Sequence, residues 1–173
     1  MFTRPSNFSY GNYQIANLQK ANGDIETNYL IQIQKYEVEC LRFLLGESLY
    51  AELLSNLELD GLYWKVKSSA DAKWDKLLNG TSYIDSCGES KKWDGLIKKV
   101  AKIADVDIIE SLPGLYVFYQ LSLNERTLNT GAGESKLKGD NTTQESSKLK
   151  RIDAWNELVQ WASFGYPNNS NVS

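Results

Sequence analysis

The chain has 173 residues, of which 42% are hydrophobic and 12% aromatic, and its formal net charge is −3. This length and apolar content predict one folded domain, and the acidic balance argues against a protein that wraps nucleic acid with clustered lysine and arginine. The absence of histidine excludes Ser-His-Asp and Cys-His nucleophiles and every histidine-containing zinc site.

Residues 1–24 are rich in Asn, Ser, Gly and aromatic side chains but show no sustained period. They predict an extended N-terminal arm that becomes ordered by lying on another surface. The first residues lack the apolar core of a signal peptide, and no run of about 18 apolar residues occurs, so we expect neither a signal peptide nor a membrane span.

Residues 29–57 carry apolar side chains at helical spacing on both sides of Gly46. The pattern predicts two packed helices, the first ending at Leu45 and the second spanning 49–57. Residues 58–67 are predicted as a turn.

A third, short helix is predicted to begin after Ser68 or Ser69 and to run through Leu78. Residues 81–92 are predicted to be irregular. For residues 93–104 the sequence leaves two alternatives open, an extended segment or the start of a helix.

The most apolar helix is predicted to begin at Asp105 or Asp107, or at Leu112 if Pro113 marks its first turn. Its apolar residues cover several faces, which indicates a central helix.

Residues 127–147 form a long polar loop in this interpretation, with a short β-hairpin as the alternative. A last helix is predicted from about residue 146 to 164, followed by a tail, residues 166–173, without core-forming residues.

The sequence thus predicts an all-α fold class, with about five helices in a compact bundle, a long polar loop and extended N- and C-terminal arms. The predicted organisation is an arm over 1–24, a helical domain over 25–165 that contains the loop 127–147, and the tail 166–173. The predicted core residues are Leu41, Leu44, Leu53, Trp74, Leu112, Tyr116, Tyr119, Trp155 and Val159.

Asp105, Asp107 and Glu110 are the strongest candidates for chemistry, since three carboxylates can bind a hard cation or act as a general acid and base. The favoured interpretation is structural, because carboxylates at a helix start cap N–H groups and interact with the helix dipole. Cys40 lies on an apolar stripe and Cys87 in a polar loop, and whether the two meet stays open. We expect that the chain is not an enzyme and that it binds no cofactor and no metal.

The following groups of residues occur in order along the chain: Tyr36-Glu37 with Leu44-Leu45-Gly46-Glu47-Ser48-Leu49-Tyr50; Lys73-Trp74 with Leu77, Gly80 and Tyr83; Trp93-Asp94-Gly95-Leu96; Tyr116-Val117-Phe118-Tyr119; Asn129-Thr130-Gly131-Ala132-Gly133; and Trp155-Asn156. This ordered series resembles the head-tail connector (head completion or adaptor) proteins of tailed bacteriophages, particularly those of phages infecting Bacteroidetes. The match covers roughly residues 25 to 165.

The resemblance implies a structural virion protein of the neck, assembled in the cytoplasm of the bacterial host. Such a subunit forms a ring, typically a dodecamer, beneath the portal vertex, and its partners are the portal protein and tail or other connector proteins. DNA passes through the lumen without sequence-specific binding, and no membrane is involved. The alternative function is a small helical intracellular adaptor that binds another protein through one groove.

Polar segments that cannot fold alone are typical of elements that become ordered at subunit contacts. We therefore predict that partners dock on the loop 127–147 and the tail 166–173. The predicted partner-binding residues are Thr130, Gly131, Gly133, Lys136, Lys138, Tyr166, Pro167 and Asn168.

Overall fold

The computed structural model describes residues 1–8, 13–15, 18, 20, 22–103, 106–124, 128–130, 133–135 and 144–163. After a short 3₁₀ helix, Pro5–Phe8, the helices are α1 (Thr27–Ser55), α2 (Ala72–Asn79), α3 (Leu112–Asn124) and α4 (Gln144–Ala162). The strands are β1 (Leu57–Asp60), β2 (Tyr63–Val66), β3 (Thr81–Ile84), β4 (Ser90–Trp93), β5 (Ile97–Ile103), β6 (Val106–Ser111), β7 (Leu128–Thr130) and β8 (Gly133–Ser135).

Consecutive strands pair as antiparallel two-stranded sheets, β1 with β2, β3 with β4, β5 with β6 and β7 with β8. The described residues therefore form a mixed α/β fold, and the predicted all-α bundle of about five helices is wrong. The hairpins occupy segments that sequence analysis assigned to turns, irregular chain and a helix start.

The break in α1 lies where the apolar pattern predicted it. Gly46 has φ 74° and ψ 163°, which no helical residue adopts, so the helix is interrupted there and resumes as far as Ser55. A positive φ costs glycine little because it has no Cβ, which explains why a glycine stands between the two stripes.

The first hairpin replaces the predicted turn over residues 58–67. Asp60 pairs with Tyr63, so the connection is the two-residue loop Gly61-Leu62, and Gly61 has φ 63°. Two-residue hairpin loops need a positive φ at their first central residue, and glycine supplies it.

The next two hairpins correct two further expectations and confirm one alternative. Residues 81–92 are not irregular, because Thr81 pairs with Trp93 and Ile84 with Ser90 across β3 and β4. The extended alternative is confirmed for residues 97–103. The region of Asp107 belongs to strand β6 rather than to a helix start.

The central helix α3 begins at Leu112, as the alternative based on Pro113 predicted. Ser111 caps it, because the backbone N–H of Gly114 donates to Ser111 Oγ at 3.1 Å, and a serine in this position satisfies one of the free N–H groups of the first turn. The predicted capping by the preceding carboxylates is wrong, since β6 separates them from the helix.

Helix α3 packs against both α1 and α4 and is the middle of a three-helix layer. Two apolar clusters lie around it. The first joins α1, α2, the first two hairpins and Leu112; the second joins residues Phe8, Ile15 and Leu18 of the N-terminal arm to α1, α3 and Ala154. The predicted arm thus lies on the core of its own chain.

A buried carboxylate holds the start of the arm. Glu37, in α1, is 2% exposed, and its two carboxylate oxygens accept from the backbone N–H of Phe2 at 3.0 and 2.9 Å, while the N–H of Thr3 donates to one of them at 2.6 Å. Burial raises the pKa of Glu37, and the N–H donors act against that shift. Thr3 also lies 3.2 Å from Ser111, hydroxyl to hydroxyl.

Gly80, at the end of α2, and Gly95, just after β4, lie in close backbone contact. A Cβ on Gly95 would overlap the carbonyl oxygen of Leu78 and lie 2.6 Å from the nitrogen of Gly80, and Gly95 has φ 90°. The indole N–H of Trp161, in α4, donates to the carbonyl of Gly95 at 2.9 Å. This backbone contact therefore also anchors the end of α4.

We expect Glu37→Gln to lower the free energy of unfolding by about 1–3 kcal/mol, because the amide replaces an acceptor of a buried N–H with a donor. Urea denaturation followed by circular dichroism measures the change. Glu47→Gln is the matched control on the same helix, since Glu47 is exposed and only pairs with Arg42 at 3.3 Å, and we expect a loss below about 0.5 kcal/mol. Equal losses in the two variants would contradict the anchoring role of Glu37.

We expect Gly95→Ala to destabilise the fold by about 2–5 kcal/mol, since the new methyl group combines a positive φ with overlap of backbone atoms. Gly88→Ala is the control, because Gly88 has φ 83° but nothing lies within 4 Å of an added Cβ. We expect this variant to lose only about 1–2 kcal/mol of unfolding free energy. Thermal and urea unfolding of both variants give the comparison. A smaller loss for Gly95→Ala than for Gly88→Ala would show that the close backbone contact is absent.

Candidate functional site

The predicted docking loop contains a short hairpin, as the alternative for residues 127–147 stated. Thr130 pairs with Gly133 at the end of β7 and the start of β8. The other predicted partner-binding residues lie outside the described residues, so the docking role of the whole set stays a prediction. Those residues are Gly131, Lys136, Lys138, Tyr166, Pro167 and Asn168.

The three candidate carboxylates are not brought together as a described site. Asp105 lies outside the described residues, Asp107 is on β6 with its side chain outside them, and Glu110 is half-buried on the same strand. Burial, with a smaller contribution from the nearby Glu157, raises the pKa of Glu110. Among the described residues, no three His, Cys, Asp or Glu side chains are grouped so as to hold a metal ion.

The two cysteines are both free thiols in different environments. Cys40 is buried on α1, and burial raises the pKa of its thiol to about 12. Cys87 is exposed in the loop between β3 and β4, where Asp85 Oδ1 accepts from the N–H groups of Cys87 and Glu89, each at 2.9 Å. The chain has no histidine that could act as the base of an activated cysteine.

Helix α4 exposes an apolar stripe, which we call the α4 face. Sequence analysis placed Trp155 and Val159 in the core, but they are 38% and 44% exposed. The ring of Trp155 lies 5.3 Å from that of Tyr119 on α3, centroid to centroid. The α4 face consists of Leu149, Ile152, Trp155 and Val159, with Leu123 of α3 beside it.

Helix α1 exposes a second surface, of mixed apolar and charged residues, which we call the α1 face. Ile31, Lys35, Val38 and Arg42 recur at helical spacing along one side of the helix and border a shallow groove of about 510 Å³. Ile31 is 59% exposed. Because α3 lies between α1 and α4, the α1 face and the α4 face belong to different helices and are separate surfaces.

A cleft of about 950 Å³ lies between hairpin β1–β2 and the N-terminal segment on one side and α2 and β5 on the other. Its walls are partly apolar and its rim is mostly basic. The apolar lining comes from Trp64, Val66, Leu78, Ile97 and Ile109, and the basic residues are Arg4, Lys65, Lys92 and Lys98, together with Asp75, Asp94 and Asn79.

Most charges of the cleft are already paired. Asp94 binds the ammonium groups of Lys92 at 2.8 Å and Lys98 at 3.4 Å, and the hydrogen bond from Lys92 holds the pKa of Asp94 below its usual range. Lys65 lies 3.4 Å from Glu58. Arg4 differs: its guanidinium carbon lies 4.7 Å from the ring centroid of Tyr63, and no carboxylate of the described residues forms an ion pair with it.

Comparisons of the chain with protein-family models, curated proteins and solved structures gave no match. Among the helices of the described residues, none combines the length and the apolar character that a membrane crossing requires. The functional interpretation therefore rests on the α4 face, the α1 face and the cleft.

We expect one of the two thiols to react with Ellman's reagent in the native protein and both to react in urea. Cys87 is exposed, whereas Cys40 is buried and its raised pKa leaves almost no thiolate near neutral pH. The variant Cys87→Ser should give no rapid reaction. A rapid reaction that persists in Cys87→Ser would show that Cys40 is accessible.

Proposed function

We propose that the chain is a structural subunit of a tailed-bacteriophage virion that forms a ring under the portal vertex, joins the capsid to the tail and extends the DNA channel. Its partners are copies of itself, the portal protein on one side, and tail or other connector proteins on the other. It works in the neck of the virion after assembly in the bacterial cytoplasm. The proposal begins from the resemblance of residues 25–165 to head-tail connectors.

The observation that carries the proposal is the presence of two separate exposed faces, an apolar one on α4 and a mixed apolar and charged one on α1. A ring is built by heterologous contacts, in which one surface of each copy meets a different surface of the next. The α4 face, with Trp155 at its centre, and the α1 face, with Ile31, are two such surfaces on helices that α3 holds apart. Exposed apolar patches of this kind are typical of protein interfaces.

Two further features favour a structural role over chemistry or DNA binding. Glycines account for several residues of the resemblance: Gly46 breaks α1, and Gly80 and Gly95 form a close backbone contact. These are roles in shape rather than in catalysis. The net charge of −3 suits a channel through which duplex DNA slides, because a basic lumen would bind phosphates tightly.

We expect the wild-type chain to form rings, alone or on the portal protein of the same virus, in negative-stain electron microscopy. Trp155→Glu should block the α4 face and Ile31→Glu the α1 face, so each variant alone should be monomeric by multi-angle light scattering. Mixed together they should form a heterodimer and no ring, because each still offers the face that the other has lost. Circular dichroism checks that both variants are folded.

Lys150→Glu is the matched control, because Lys150 is exposed on the side of α4 away from the α4 face, so a carboxylate placed there should leave rings intact. Dimers of Ile31→Glu alone would show that the α4 face pairs with itself, which contradicts a head-to-tail ring. A wild-type chain that stays monomeric with and without portal would favour the intracellular adaptor instead.

A further inference from the structure

Among the described residues, only Met1 pairs with the outer edge of β2, and it does so at Trp64. The N–H of Lys67 donates to the carbonyl of Asn56 at 3.0 Å, which continues the β1–β2 register, so alternate residues of β2 direct their hydrogen-bonding groups towards β1 and the others direct them outwards. Trp64 and Val66 are the outward-directed residues. The N–H of Trp64 donates to the carbonyl of Met1 at 3.0 Å.

The N-terminal segment leaves this edge immediately after Met1. Its next two N–H groups, those of Phe2 and Thr3, go to Glu37, so the segment cannot continue along β2. Among the described residues, Val66 has no backbone hydrogen bond beyond the hairpin. Val66 lines the cleft, and its outward N–H and C=O therefore lie at a strand edge beside an apolar floor.

The charge of the cleft is complementary to an acidic ligand. Four basic and two acidic side chains line it, while the chain as a whole has a net charge of −3. Lys92 and Lys98 are bound by Asp94, but Arg4 has no described carboxylate partner and is positioned by Tyr63. A guanidinium offers a fork of donors that matches a carboxylate.

We propose that this cleft binds an extended acidic segment of a partner protein by strand addition to β2. The backbone of the segment pairs with Val66, a carboxylate of the segment pairs with Arg4, and its apolar side chains contact Leu78, Ile97 and Ile109. Strand addition takes its affinity from main-chain hydrogen bonds and its specificity from pockets for alternate side chains. This function is separate from ring formation, because no residue of the cleft belongs to the α1 face or the α4 face.

A protein segment is favoured over nucleic acid for two reasons. The apolar side chains of Val66, Ile97 and Leu78 offer no gain to phosphates, and a nucleic acid has no peptide groups that could pair with the strand edge at Val66. A polypeptide supplies backbone groups for the strand edge, apolar side chains for the apolar lining and a carboxylate for Arg4.

The test is a selection of random short peptides displayed on yeast against the full chain at low salt, where exposed charges are least screened. We expect enrichment of peptides that alternate Asp or Glu with apolar residues. Arg4→Gln should weaken binding of the enriched peptides about tenfold or more, as loss of a charge-assisted hydrogen bond predicts. Lys76→Gln is the control, because Lys76 is exposed on α2 but does not line the cleft.

Hydrogen exchange of the Val66 amide, measured by NMR with the strongest enriched peptide, tests the backbone contact. Slower exchange on binding is the expected result, and binding with unchanged exchange at Val66 would overturn strand addition. Three results would overturn the proposal. They are enrichment of peptides without acidic residues, equal peptide binding by Arg4→Gln and the wild-type chain, and displacement of the peptide by a single-stranded oligonucleotide. Trp155→Glu should bind the peptide normally, so failure of the ring and failure of the cleft are distinguishable.

Discussion

The contact between Glu37 and the first backbone N–H groups decides how the rest of the chain is arranged. A carboxylate at 2% exposure is tolerated only when hydrogen bonds replace the water that it has lost, and Phe2 and Thr3 supply them. The contact fixes the start of the arm across α1, which places Phe2 in one apolar cluster and Phe8 in the other. It also takes the arm away from β2 and leaves the cleft open beside that strand.

Helices were predictable from the sequence wherever a stripe repeats over several turns, as in α1 on both sides of Gly46 and in α3 after Pro113. The hairpin β1–β2 was not, because its strands are short and mostly exposed or half-buried. In β1 only Leu57 is buried and the next three residues are exposed, so no period of two exists to be found. The recognisable signal was Gly61, whose positive φ a two-residue hairpin loop requires.

The apolar residues of the α4 face were recognised in the sequence, but Trp155 and Val159 were assigned to the core and are exposed. Helix α4 carries more apolar residues than the domain buries, and their position around the helix axis determines which of them face inwards. Ala154 and Leu158 are buried, since a small residue lets α4 approach α3, and the larger Trp155 is left at the margin against Tyr119. The cleft could not be predicted, because segments far apart in the chain meet only in the fold.

The ring that we propose would place one demand on the fold of the monomer. Copies joined head to tail close into a ring only if the two contacting faces keep a fixed relative orientation, and otherwise they grow into a filament. Helix α3 contacts both outer helices, and the bond from Trp161 to the carbonyl of Gly95 ties the end of α4 to the close contact with Gly80. The interactions that stabilise one subunit would therefore also determine the symmetry of the assembly.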